Sequence, residues 1–304
     1  MKTKFKPFAA IIAVVITWGF SFLSTKIALD LYSPLALGLL RNGLAALFLI
    51  PLKILDDKRN TKKYAPLSVS SYISLALAGL IGVSFYFVCE NNGLVLVSVS
   101  EAAIFTGAIP VLVMLCEWIW ERIRRGTAPQ GASVIKGRQW VGTFISIAGV
   151  ALVSGAGAAV SGNVLGYLFM MGAMVCWVFY CFLTRGLFQR ASYFTIVFWQ
   201  TLFGFLGFIP FYILELAGGG APPVMPTAAA AFHIVFLALG CSAFCFLCYI
   251  YALEKLGAAS SSIFINLIPV VTVVAGFFLM GDRLTALQWA GAALTLAGVY
   301  MGGR

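Results

Sequence analysis

Residues 85–110 read FYFVCENNGLVLVSVSEAAIFTGAIP. An apolar run carries one carboxylate and two amides, Glu90-Asn91-Asn92; a short Ser-rich break follows, and a second apolar run starts at Glu101. Apolar runs of this kind, one close behind the other, read as membrane-spanning helices. At bilayer depth an ionised Glu is costly unless it is paired, wetted or protonated. Glu90-Asn91-Asn92 therefore either lines a watery cavity or is held by partners inside a bundle.

The composition of the whole chain agrees. Of 304 residues, 62% are hydrophobic and only 10% charged, with a mean hydropathy of +1.00. Soluble domains run about half apolar and about a quarter charged, so the chain is expected to be an all-α integral membrane protein. A net charge of +10 does not point to nucleic acid, because the charges sit in short loops between apolar runs, as the membrane orientation rule requires. The start, MKTKFKPFAAIIAVVITWGF, has a basic end and an apolar stretch but no small-residue cleavage pattern, and reads as a retained first helix. All seven cysteines lie inside apolar runs and read as small packing residues. No metal site and no cofactor is expected.

About ten spans can be drawn, at 8–29, 34–54, 71–95, 101–120, 139–157, 164–185, 194–216, 231–252, 259–280 and 285–302. With a cytoplasmic N-terminus, nearly all of the 20 basic residues collect on the cytoplasmic side. Arg283 falls in an outer loop, and Lys26 and Arg41 lie within spans. Both termini are therefore expected in the cytoplasm, with the protein in the plasma (inner) membrane.

The chain also repeats itself. Trp18 recurs as Trp177, Thr25 as Thr184, Lys26 as Arg185, Pro51 as Pro210 and Pro110 as Pro269, each pair 159 positions apart (177 − 18 and 269 − 110 alike). FTGAIPV at 105–111 faces FINLIPV at 264–270 at the same offset. Past the basic loop the register shifts: Gln139-Trp140, Gly142 and Gly149 match Gln288-Trp289, Gly291 and Gly298, so the first copy has the longer loop. Five spans is an odd number, so the second copy enters the membrane from the opposite face. Two inverted repeats of five helices, 1–157 and 158–304, are expected. Such halves can exchange roles and open a central site to one face and then the other.

In this order, twice over, the motifs resemble the drug/metabolite transporter superfamily with two EamA-type repeats. They are Trp18-Gly19, Arg41, the Ser-Xaa-Ser-Glu-Ala-Ala…Ile-Pro-Val start of the fourth helix (98–111), Glu121-Arg122, Gly142, Gly149 and the variant Gly281-Asp282-Arg283. The resemblance implies a ten-helix inverted-repeat fold and export or exchange of small metabolites, without saying which.

The candidate substrate-binding residues follow from polar and aromatic groups within spans. Trp18, Phe22, Thr25 and Lys26 share one face of the first helix, and Trp177, Cys181, Thr184 and Arg185 repeat the pattern. An aromatic followed by a cation suits stacking on one part of a ligand and pairing with its anion; the alternative is that Lys26 and Arg185 snorkel to the interfaces. Arg41 is matched by neutral Gln200, so the fold does not require its charge in both copies. Glu90 and Asn91 are matched by Tyr249 and Ile250, and Tyr86 lies one turn before Glu90 on its face. Glu90 is the proton-coupling candidate: apolar walls disfavour an ionised carboxylate and a nearby Arg41 favours it. Pro110 and Pro269 remove a backbone donor in mid-span and are expected to kink their helices beside Thr106 and Asn266. Trp18, Phe22, Arg41, Tyr86, Glu90, Asn91, Trp177 and Asn266 are thus expected to contribute to binding, near the bilayer midplane. The Gly142/Gly149 and Gly291/Gly298 pairs suit close helix packing or a homodimer seam. His233 reads as an interfacial residue.

Other classes fit less well. An enzyme needs acids, bases or nucleophiles clustered near one face; the basic loops lack them, and Asp56-Asp57 sit among lysines. There is no nucleotide-binding loop. Secondary transport of a small metabolite, amino acid-like or a related compound, by alternating access and in the outward direction, is the expected function, with a flippase of the same fold for a lipid or lipid-linked substrate as the alternative.

Overall fold

The computed structural model describes residues 2–60, 64–123, 135–155, 163–220, 225–280 and 285–303. Gly281-Asp282-Arg283, most of the basic loop 121–138 and the repeat boundary at 157/158 lie outside the described residues. Among the described residues every regular element is helical. They are α1 (Lys2–Leu29), α2 (Pro34–Asn60), α3 (Val69–Gly79), α4 (Tyr86–Leu96), α5 (Val99–Thr106), α6 (Ile109–Ile123), α7 (Gly137–Gly155) and α8 (Val164–Arg185). There follow α9 (Tyr193–Ala217), α10 (Ala228–Val235), α11 (Cys245–Leu256), α12 (Ala258–Ile265), α13 (Ile268–Met280) and α14 (Ala286–Gly302). Residues Leu80–Phe85 and Phe236–Phe244 are π-helical and join α3 to α4 and α10 to α11.

Among the described residues eight helical stretches are long and apolar enough to cross a membrane. The two further spans expected at 139–157 and 285–302 are present as helices, α7 and α14. They fall short of the eight because α14 has 17 residues, below the roughly 20 of a span, and α7 opens on Arg138-Gln139. Large apolar side chains face outward, Leu47 at 64%, Leu214 at 69% and Phe179 at 55% exposure. On that many helices this is the signature of a hydrocarbon solvent rather than water.

The chain forms two compact units, and each draws on both sequence halves. One comprises Met1–Phe20, Ser98–Ser161 and Ala252–Arg304; the other comprises Ser21–Val97 and Gly162–Tyr251.

In the first unit α7 packs on α14. A Cβ added at Gly298 would lie 2.6 Å from the Gly142 carbonyl oxygen, and one at Gly149 would lie 2.7 Å from that of Gly291. Both glycine stripes are thus spent on each other, which lets two backbones approach where hydrophobicity alone gives membrane helices no reason to associate. The Ser98–Glu101 signature forms a reciprocal cap: Ser98 N–H donates to Glu101 Oε2 at 2.8 Å, and Glu101 N–H donates to Ser98 Oγ at 3.2 Å. At the prolines the α-helical hydrogen-bonding is interrupted. α5 ends at Thr106 and α6 begins at Ile109; α12 ends at Ile265 and α13 begins at Ile268. Tight turns close each gap, with Gly107 N–H donating to Ile104 O at 3.1 Å and Asn266 N–H to Ile263 O at 3.2 Å. Neither Pro110 nor Pro269 can donate to the carbonyl four residues back, so the α-helical ladder is interrupted there by one tight turn within a continuous helical stretch.

In the second unit α2 packs on α9 and α4 on α8. The first π-helical segment lies against α8 and α9: Ser84 Oγ donates to Gly204 O at 2.6 Å, and a Cβ at Gly82 would strike the Tyr180 ring. The second segment covers the positions 159 residues after the first. Uniform hydropathy hides such segments, because the π register changes which residues share a face without changing their character.

Candidate functional site

Two of the charged groups expected within spans, Arg41 and Glu90, are neighbours in the second unit, where α2, α4, α8 and the segment Phe236–Phe244 come together. Arg41, seven residues into α2, is 2% exposed. Its Nε donates to Ser242 Oγ at 3.1 Å, and its guanidinium carbon lies 4.0 Å from the centroid of the Phe87 ring. Such stacking is favourable for a planar, weakly hydrated cation. Glu90, on α4, is 7% exposed, and Tyr86, one turn earlier, donates its hydroxyl to Glu90 Oε1 at 2.6 Å. Among the described residues no ion pair joins Arg41 to Glu90. Two opposite charges therefore share a buried neighbourhood without neutralising each other by contact.

An aromatic wall adjoins them. Trp177 on α8 lies 5.5 Å from Tyr86, 5.3 Å from Tyr180, 6.0 Å from Phe246 and 4.9 Å from Tyr249, centroid to centroid. Most of these contacts are tilted or edge-on, the geometries the ring quadrupole favours. Tyr249 is held in place by a 3.2 Å contact between its hydroxyl and Cys181 Sγ.

Of the residues expected from sequence, Arg41, Tyr86, Glu90 and Trp177 are brought together here. Phe22 is buried in the same unit. Asn91 is fully buried, and its Nδ2 donates to the Pro34 carbonyl at 2.9 Å, which ties α4 to the start of α2. Trp18 and Asn266 belong to the first unit. There Asn266, in the gap between α12 and α13, donates from Nδ2 to Ser146 Oγ at 2.6 Å. Lys26 takes a course that sequence did not suggest: its Nζ donates to the Leu94 carbonyl at 2.6 Å. It thereby satisfies an orphan acceptor at the C-terminal end of α4, where a cation is favoured. Arg185 lies 5.5 Å over Phe182, and His233 Nδ1 sits 3.2 Å from Ser24 Oγ.

Sequence reasoning missed Ser242, Phe87, Tyr180 and Phe246. Ser242 stands 201 positions from Arg41 in the chain, and no local pattern marks it. Tyr180 and Phe246 read as ordinary apolar-run residues.

Residues 6–155 and 164–302 each match the profile of the EamA-like transporter family. An uncharacterized transporter of Archaeoglobus fulgidus is 28% identical over 292 residues, 96% of each chain. A protein of Streptantibioticus cattleyicolor named a probable terminal-alkyne amino-acid exporter is 27% identical over 293 residues, 96% of this chain and 91% of that one. A solved crystal structure shares the fold with a TM-score of 0.73 over 97% of this chain and 96% of that one, at 15% identity.

Proposed function

The chain belongs to the EamA-like transporter family, and from that premise we propose that it is a secondary transporter exporting a small amphoteric metabolite of amino-acid type by alternating access. The observation that carries the proposal is the pair of buried, opposite charges, Arg41 and Glu90, which form no ion pair with each other, beside the ring of Trp177. Buried charges are costly unless paired, and a ligand bearing both a carboxylate and an ammonium supplies a partner to each. Arg41 would take the carboxylate by a forked contact. Glu90, oriented by Tyr86, would take the ammonium, and the aromatic wall would receive the side chain.

The same carboxylate offers a route to coupling. Glu90 can hold a proton or an ammonium group, but not both. A proton taken up at the more acidic outer face would displace substrate outward, and its release inside would free the site for the next molecule. The bias of basic residues toward one set of loops supports cytoplasmic termini, and the name of the S. cattleyicolor relative supports the substrate class and direction.

The test is counterflow into proteoliposomes loaded with a mixture of neutral amino acids. Exchange of a labelled amino acid is expected, with little exchange of the corresponding decarboxylated amine or N-acetyl derivative. Exchange of the amine at the same rate would remove the carboxylate from the recognition scheme. Movement of a labelled phospholipid between leaflets, with no amino-acid exchange, would replace the proposal with lipid translocation.

A further inference from the structure

Two cavities of unlike character lie end to end along the seam of α2 and α9, outside the site above. The first, about 330 Å³, is lined by Lys53, Asp56 and Asp57 at the end of α2, by Tyr72 on α3, by Arg190 in the turn before α9 and by Trp199 in the second turn of α9. The second, about 430 Å³, is almost wholly apolar, and runs from Ile50 past Leu47 and Gly43 to Leu39, with Phe198 and Phe205 opposite.

The helices make the two continuous. Ile50 and Lys53 stand three residues apart on α2, as Thr195 and Phe198 do on α9, so each pair shares a helix face. Thr195 donates to Asp57 Oδ1 at 3.4 Å where α2 and α9 meet beside the polar cavity. From Leu39 to Ile50 the groove extends about 17 Å at 1.5 Å per residue. That is close to half of a ~30 Å hydrocarbon core. Leu44, Leu47 and Ile50 along it are 39–64% exposed, so the groove opens toward hydrocarbon. Lys53, Asp56 and Asp57 are the first charges after the apolar stretch of α2 and mark the water interface.

The polar cavity is itself amphoteric. Lys53 is neutralised by Asp57, Nζ to Oδ2 at 2.6 Å, while Arg190, exposed in the turn before α9, has no ion pair among the described residues. Tyr72 and Trp199 meet edge to face at 5.3 Å, a pairing of amphipathic rings typical of headgroup depth.

From this juxtaposition we infer that the α2–α9 seam binds one membrane phospholipid carrying a primary ammonium, with its headgroup in the polar cavity and one acyl chain in the apolar groove. Arg190 faces the phosphodiester, the ammonium donates into the Asp56–Asp57 carboxylates, which together carry one negative charge more than Lys53 neutralises, and Leu47 covers the chain. Charge complementarity selects the headgroup: a quaternary ammonium has no N–H to donate to the carboxylates.

The experiment is native mass spectrometry of the full chain in mild detergent, titrated with phosphatidylethanolamine, phosphatidylcholine and soluble glycerophosphoethanolamine. One phosphatidylethanolamine per chain is expected, held about tenfold more tightly than phosphatidylcholine, with no competition from glycerophosphoethanolamine. Arg190→Gln is expected to weaken retention about tenfold, the worth of one charge-assisted contact, and Arg190→Lys to restore part of it. Leu47→Trp, which fills the groove from its exposed side, is expected to abolish retention. Elution and thermal midpoint in lipid-free detergent check that each variant is folded; should Leu47→Trp fail there, the Arg190 pair still decides. Unchanged retention in Arg190→Gln, equal retention of the choline lipid, or full competition by the soluble headgroup would each overturn the inference.

Discussion

Positions 41, 86 and 90 carry Arg, Tyr and Glu, and the positions 159 residues later, 200, 245 and 249, carry Gln, Cys and Tyr. All six are buried within one compact unit. Two of the neutral members reach uncharged partners: Gln200 Nε2 donates to Thr184 Oγ1 at 2.9 Å, with its Oε1 left without a hydrogen bond, and the Tyr249 hydroxyl meets Cys181. The charged members are held by contacts that orient them without neutralising them, Ser242 and Phe87 for Arg41 and Tyr86 for Glu90. The backbone meanwhile repeats faithfully, down to π-helical segments at matching positions and interruptions of the α-helical ladder at Pro110 and Pro269. What differs between the copies is chemistry on a shared scaffold. A buried charge that the fold does not need in its second copy is what the proposed ligand would account for.

Making the first copy resemble the second is the strongest way to break that contrast. Arg41→Gln is expected to lower amino-acid counterflow about 100-fold, the loss of a forked, charge-assisted contact in a dry site. The corresponding amino-acid amide, which offers no carboxylate, should lose far less. An equal loss for both would make Arg41 a structural residue. Glu90→Gln ranks next. Exchange is expected to weaken about tenfold, accumulation driven by a pH gradient to vanish, and the residual exchange to become independent of pH. In the wild type, protonation of the carboxylate removes the ammonium's partner, so binding should strengthen as pH rises. An exchange rate in the Gln variant that still follows pH would assign the proton to another group.

Much of this arrangement was legible in the sequence, for identifiable reasons. Spans are set by hydropathy, the repeat by prolines and tryptophans at one offset, and the Tyr86–Glu90 contact by helical spacing of four. The spans at 71–95 and 231–252 hid their π-helical interiors, because a change of helical register leaves composition untouched. Pro110 and Pro269 announced a perturbation but not its size; how far the helical ladder is interrupted depends on how neighbouring turns close, here through Gly107 and Asn266. Lys26 was placed between ligand and interface, whereas it caps α4 through the Leu94 carbonyl, an acceptor 68 residues away that only tertiary packing supplies. Ser242 was invisible for the same reason. A serine in an apolar run has no signature until the guanidinium it accepts from stands beside it.

The smallest effect is expected at Gln200, and it sharpens the comparison by leaving transport alone. Gln200 is 1% exposed, and its amide donates to Thr184, itself fully buried. Gln200→Leu keeps the volume roughly constant and removes that donor from the Thr184 hydroxyl. Losing one neutral buried hydrogen bond costs about 1–2 kcal/mol, which corresponds to a fall of about 2–4 °C in thermal midpoint for a chain of a few hundred residues. Counterflow at saturating substrate should stay within about twofold of wild type, since a neutral amide has no charge with which to pair the carboxylate or ammonium of the ligand. The measurement is a thermal melt in detergent alongside the proteoliposome assay. If Gln200→Leu depressed transport as deeply as Arg41→Gln, the two copies would be chemically equivalent at this position. The charge asymmetry between them would then carry no information about where the substrate binds.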